Sequence, residues 1–173
     1  LHHYHDVHSG FPPAFLGEPS GWLPSWSWTT FLLPHLEQNG LYDGLQVMSA
    51  QFGGGAPFAT APSEQTQKVL PVFLCPADTG PDLNHRKSDH AKSSYRGVLG
   101  NETQLFTSHP VLIRQNGLFF VNSHISVEQI LDGSSQTLAV GECRLDPGAA
   151  GKRGAIWAGM RGPTESTLWL SDT

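Results

Sequence analysis

No run of apolar residues in this chain approaches the roughly 18 that a membrane-crossing helix needs. Charged side chains are scarce, at 14% of 173 residues, against about a quarter in ordinary globular domains. The charge that is present carries no pattern. Ten basic and 15 acidic residues give a formal charge of −5, and neither sign forms a block. A nucleic-acid partner would normally show a basic stripe and a membrane-surface protein a basic amphipathic helix; the sequence has neither. An initiator methionine and a signal peptide are also missing. The opening "LHHYHDVH" reads like the middle of a chain, so we expect a segment upstream of it.

Cysteine is limited to Cys75 and Cys143, in contexts that match neither a zinc nor a redox motif. A bridge between them would suit an exported protein. It would close a loop of about 70 residues and contribute roughly 4 kcal/mol by chain entropy. Two buried free thiols are the alternative.

Glycine (19) and proline (13) are plentiful, which predicts many turns and few long elements. The length suits one domain with a real core. Leu1 to His8 fit the last turns of a helix, which "SGFPP" stops. Ser25 or Ser27 can cap a helix through Thr29, Phe31, Leu32, Leu33 and Leu36, with Pro34 kinking it or splitting it in two. "EQNG" should end it, with Asn39 or Gly40 left-handed. Apolar positions 32, 33, 36 and 41 should then cover one face. Ala50 to Pro62 reads as a surface loop, and Ser63 as the cap of a helix that Pro71 ends. "VFLCPAD" reads as a short buried extended segment, followed by a polar excursion from Thr79 to Ser93.

Beyond it the period changes. "SSYRGVLG", "NGLFFVN", "QTLAVGEC" and "GAIWAGM" are short β-type runs. "SVEQILDGS" offers a Ser126–Gln129 capping box and an Asp132-Gly133 turn. The expected fold is α+β with a mostly antiparallel sheet, short helices and long loops. We read one domain over 1–173: a helix end at 1–9, a helix- and loop-rich part at 10–92, and a strand-rich part at 93–173.

Reactive constellations are weak. His2, His3, His5, His8 and Asp6 could take zinc or copper, but they lack "HExxH" logic and a distant partner. Polar helix-end histidines are the expectation, with no metal and no cofactor. Asp78, Asp82, Asp89, Asn84 and His90 are too sparse for a calcium loop and read as a solvated loop. "DGSSQT" is not a nucleophile elbow, and "GGG" at 53–55 has no following lysine. Catalysis is not expected. The aromatics remain: Trp22, Trp26, Trp28 and Trp157 are the candidate packing or interface residues. The expectation is that Trp26 and Trp28 point to one side and close a core; exposed, they would suit sugars or a subunit contact.

"LHHYHDVHSGFPPAF", "GWLPSWSWTTFLLPHLEQNGLYD", "PVFLCPAD", "SSYRGVLGN" and "NGLFFVNSHISVEQILDGSSQTLAVGE" together resemble bacterial prepilin-type, pseudopilin-like proteins, whose common domain is of unknown function or solute-binding-like. The resemblance implies a type IV pilin or type II secretion pseudopilin. A leader is cleaved, a long apolar helix follows, and its upper half packs on a sheet, with "LHHYHDVH" as the end of that helix. Leader and apolar helix are not in this sequence, so any membrane contact would come through that absent helix. Members also carry a cysteine on it, which supplies another partner for Cys75. The family's closing histidine, nine-residue spacer and Asp-Gly is not matched by His124 and Asp132-Gly133. The implied role is a non-catalytic structural head, exported to the cell surface, with copies of itself in a filament as partners. An extracellular module binding glycans or other polymers is the alternative.

Overall fold

The computed structural model describes residues 1–16, 25–48, 63–100, 117–145, 154–160 and 168–169, with 160, 168 and 169 described by backbone alone. Trp22 and the expected surface loop Ala50–Pro62 lie outside the described residues.

Helix α1 spans His2–His8 and stops where Ser9 turns left-handed (φ 58°), donating its N–H to the His5 carbonyl. The prolines that follow cannot resume it. No residue of α1 is buried, yet Tyr4 packs against both hydrophobic cores.

The tryptophan-rich stretch forms strand β1 (Ser25–Trp26), helix α2 (Trp28–Phe31) and a 3-10 turn at Leu33–Leu36. Pro34 therefore divides the helix, since its ring excludes a continuous α-helical ladder. The left-handed stop is Glu37 (φ 59°) rather than Asn39 or Gly40. Asn39 instead opens a new helix, α3 (Asn39–Leu45). Leu33 and Leu41 enter one core and Leu32 the other, with Leu36 against both, so the leucines do not share a face. Splitting the helix re-aims the residues after the break.

Two further expectations fail locally. Residues 64–67 form turns, not a helix, and Pro71 begins a 3-10 turn (Pro71–Phe73) instead of ending a helix. Proline fits there because its missing N–H is one that a first turn leaves unused. "NGLFFVN" makes no strand; its pairing is an isolated bridge from Val121 to Phe15. Here Gly117 lies against Leu99 so closely that a Cβ would sit 2.2 Å from the Leu99 carbonyl carbon. Only glycine permits that approach.

The remaining strands are β2 (Leu83–Asn84), β3 (His90–Ser93), β4 (Tyr95–Val98), β5 (Val140–Glu142), β6 (Ala155–Ile156), β7 (Gly159–Met160) and β8 (Leu168–Trp169). They form three small sheets, ordered β1-β7, β2-β3-β6 and β5-β4-β8. All pairings are antiparallel except β4 with β8. The α+β class holds, but β1, β2 and most of β3 come from the part expected to be helix- and loop-rich. The capping box forms as read: the Ser126 N–H donates to Gln129 Oε1 at 2.8 Å.

One core gathers Trp26, Phe31, Leu33, Phe73, Ile156 and Trp157; the other gathers Phe11, Phe15, Trp28, Leu32, Leu118 and Phe119. Trp26 and Trp28 thus point into different cores, because the chain passes from strand into helix between them and the alternation of a strand is lost. Trp157 is fully buried, and its indole N–H donates to the Lys68 carbonyl at 3.0 Å. Its own carbonyl is met by Ser27 Oγ and Thr29 Oγ1, each at 2.5 Å. The two hydroxyls lie 2.6 Å apart. Each has one proton, so they share the carbonyl and their mutual contact between them. Thr30 Oγ1 donates to the Ala158 carbonyl at 2.7 Å. Ser27 caps α2 by position, but its side chain is spent on this clasp.

Replacing Ser27 by Ala together with Thr29 by Val preserves shape and removes the two close donors of a buried carbonyl, leaving only the longer contact from Thr30 Oγ1 at 3.5 Å. We expect a loss of about 1–3 kcal/mol, read as a lower urea midpoint at unchanged slope. An unaltered midpoint would show that the clasp is dispensable.

Candidate functional site

Three phrases far apart in sequence, "FLCPAD", "KSSYR" and "GECR", meet at one place. After the 3-10 turn the chain extends through Leu74. It then turns at Cys75-Pro76-Ala77-Asp78, closed by the Asp78 N–H on the Cys75 carbonyl at 2.9 Å. Proline at the second position presets this turn. It delivers the Asp78 side chain inward.

Asp78 Oδ1 accepts the Gly80 N–H at 3.1 Å. Oδ2 accepts the Ser94 hydroxyl at 3.1 Å and faces Lys92 Nζ at 3.4 Å. The Lys92 ammonium also donates to the carbonyls of Gly80 (2.8 Å) and Asp78 (3.2 Å), so its three protons all have acceptors. The two side chains are 1% and 4% exposed. Burial pushes the Asp78 carboxyl upward, but the Gly80 amide, the Lys92 charge and the Ser94 hydroxyl outweigh it and hold the group below its ordinary range. The carboxylate is therefore ionised at neutral pH. Its contribution is present above the unfolded carboxyl pKa and fades as acid protonates Asp78.

Ser94 is the corner between β3 and β4. Its N–H donates to the Phe73 carbonyl (2.8 Å), and its own carbonyl accepts the Cys143 N–H (2.7 Å). Ser93 closes the bend by donating to the Tyr95 carbonyl and accepting the Tyr95 N–H.

Beside this knot lies an open cleft of about 280 Å³ lined by Cys75, Ala77, Asp78, Glu142, Cys143 and Arg144. That is at the small end for a ligand pocket. Both cysteines carry free thiols and line this one cleft. Burial pushes the Cys143 thiol up, opposed by the neighbouring Arg96 guanidinium, and Cys143 Sγ rests 3.8 Å from the Ser93 carbonyl. A thiol so held is a poor nucleophile at neutral pH. Both Asp78 oxygens are already engaged.

Over residues 1–171 the chain matches the family described as a protein of unknown function, DUF1559, or SBP_bac_10. It belongs to that family. No curated protein and no solved structure matches it.

For this DUF1559 chain the structure rearranges several sequence-based assignments. The acidic excursion is a solvated loop only in part: Asp82 is exposed and the Asp89 side chain half exposed, whereas Asn84 and His90 are 0% and 6% exposed and the Asp78 side chain is buried in the knot. Its middle forms the β2–β3 hairpin. His90 is pushed down to about 4 by burial, against the opposing charge of Asp89, and its Nδ1 meets Thr66 Oγ1 at 2.9 Å. Trp26 and Trp28 are 9% and 4% exposed, which leaves little ring face for stacking on a sugar. Among the described residues no group of three or more His, Cys, Asp or Glu is placed to hold a metal, and no helix is long and apolar enough to cross a membrane. Lys92 and Ser94 had no sequence signal. "HAKS" is buried at all four positions, so it shows no alternation.

Lys92→Met strands a buried carboxylate and should cost about 3–5 kcal/mol, whereas Lys92→Met with Asp78→Leu should be much milder. Chemical denaturation of these two and of Asp78→Leu alone decides it, and simple additivity would show that the pair is uncoupled.

With Cys75 replaced by Ser, Cys143 should react with a disulfide reagent at pH 8 more slowly than free cysteine. Thiol counts of the unaltered chain before and after reduction separately decide whether Cys75 and Cys143 are bridged in the isolated protein. Fast labelling of Cys143 would contradict the burial argument.

Proposed function

We propose that this chain is the non-catalytic head of a pilin-like or pseudopilin structural subunit, of the type IV pilus or type II secretion kind, exported to the cell surface and partnered by copies of itself. The observation that carries this reading is the seating of α1. It is a seven-residue helix too short to be stable alone, with no buried residue of its own, held where Tyr4 meets both cores. Such a helix end suits the last turns of a longer element entering the head from outside.

The buried aromatics support the same reading. Trp26, Trp28 and Trp157 are core residues, so these three indoles serve packing. The knot beside the cleft is likewise fully committed to holding three segments together. A glycan- or polymer-binding module would need open indole faces, and Trp26 and Trp28 do not offer them.

Antibodies raised against this chain, used for immunogold electron microscopy of producing cells, are expected to label surface filaments or an envelope-spanning assembly. Label confined to the cytoplasm would sink the proposal.

A further inference from the structure

Helix α1 meets the body largely through imidazoles. His35, on the Leu33–Leu36 turn, lies with its ring centroid 4.9 Å from that of His3, 5.5 Å from His8 and 5.3 Å from Tyr4, all edge-to-face. Tyr4 in turn stacks against His8 at 4.1 Å. His5 Nε2 accepts the Val127 N–H at 3.2 Å, a bond that requires an unprotonated nitrogen.

We propose that α1 is a proton-released strap: ring contacts gathered around His35 hold it on the body, and a proton taken up by His35 undocks it while the two cores stay folded. The inference does not depend on the filament reading.

The surroundings of His35 set the direction. Burial lowers its pKa first, and the charges of His3 and His8 lower it further. All of those charges have one sign, and Tyr4, whose own pKa is raised, stays neutral throughout. His5 differs. Its Nδ1 lies 4.0 Å from Asp6, and its Nε2 is taken up by the Val127 N–H. His5 therefore reports docking, and His35 drives release. The helix has no buried residue to resist, so a modest charge penalty is enough.

The sign follows from linkage. A histidine whose docked pKa is depressed takes up a proton on undocking at any pH between the docked value and the free value of about 6.5. Docking is thus favoured above that window and weakens as pH falls through it.

Amide hydrogen exchange of the whole chain from pH 7.5 to 5, corrected for intrinsic rates, tests this. Protection at Val127 and at Ser9, which donates to the His5 carbonyl, should fall about tenfold per pH unit below about 6.5. Ala91 and Trp157, bonded within the core, should keep theirs. In His35→Phe the protection at Ser9, whose bond involves no imidazole, should persist to pH 5, and His35→Gln should behave alike if the larger ring does not fit. Acid also strains the core through His90, but that loss would touch every amide together. Constant protection at Val127 in the unaltered chain would overturn the proposal. So would an unchanged fall in both variants, or loss of α1 and core protection in step.

Discussion

A lysine ammonium and an aspartate carboxylate, both removed from water, constrain everything around them. Lys92 and Asp78 are 1% and 4% exposed, and desolvation on this scale costs several kcal/mol per ion unless each lone pair and proton is met. Meeting them fixes the backbone. The Gly80 amide and carbonyl, the Asp78 carbonyl and the Ser94 hydroxyl must all face inward. Once they do, the Cys75–Asp78 turn, the corner at Ser94 and the strand ending at Glu142 have little freedom left. The cleft with its two thiols is the opening left beside that junction.

The same principle governs the other centre. Trp157 places a carbonyl at the bottom of a core, and Ser27 and Thr29 rise from the tryptophan-rich stretch to satisfy it. The residues that make this stretch look like a binding surface are its anchoring residues. Both polar knots carry specificity more than net stability, since an apolar replacement of matched shape could be nearly as stable. They leave one way for the segments to assemble. Helix α1 is fastened differently, by ring contacts to His35 and without a buried residue of its own.

Much of the local structure was legible. Ser9 and two prolines end α1, Pro34 divides the next helix, Ser126 and Gln129 make a capping box, and "SSYRGVLG", "QTLAVGEC" and "GAIWAGM" contain strands. Each of these rests on groups within a few residues of one another, so the sequence carries the whole cause. Illegible were the burial of Asp78, Asn84 and His90, the start of α3 at Asn39, and the separation of Trp26 from Trp28. Polar composition in the Thr79–Ser93 segment reads as solvent exposure, because nothing in it announces that its own Lys92 turns inward to meet Asp78.

The sequence by itself determined the α+β class, the turn-rich texture and where most short elements stop, through proline geometry, glycine freedom and capping chemistry. Tertiary structure alone decided which side chains became partners. Ser27 meets a carbonyl 130 positions away, and Cys75 shares a cleft with Cys143. Such pairings depend on how three small sheets and two cores close on one another. Chain order does not encode that closure at any fixed spacing, so no periodicity or motif could have announced it.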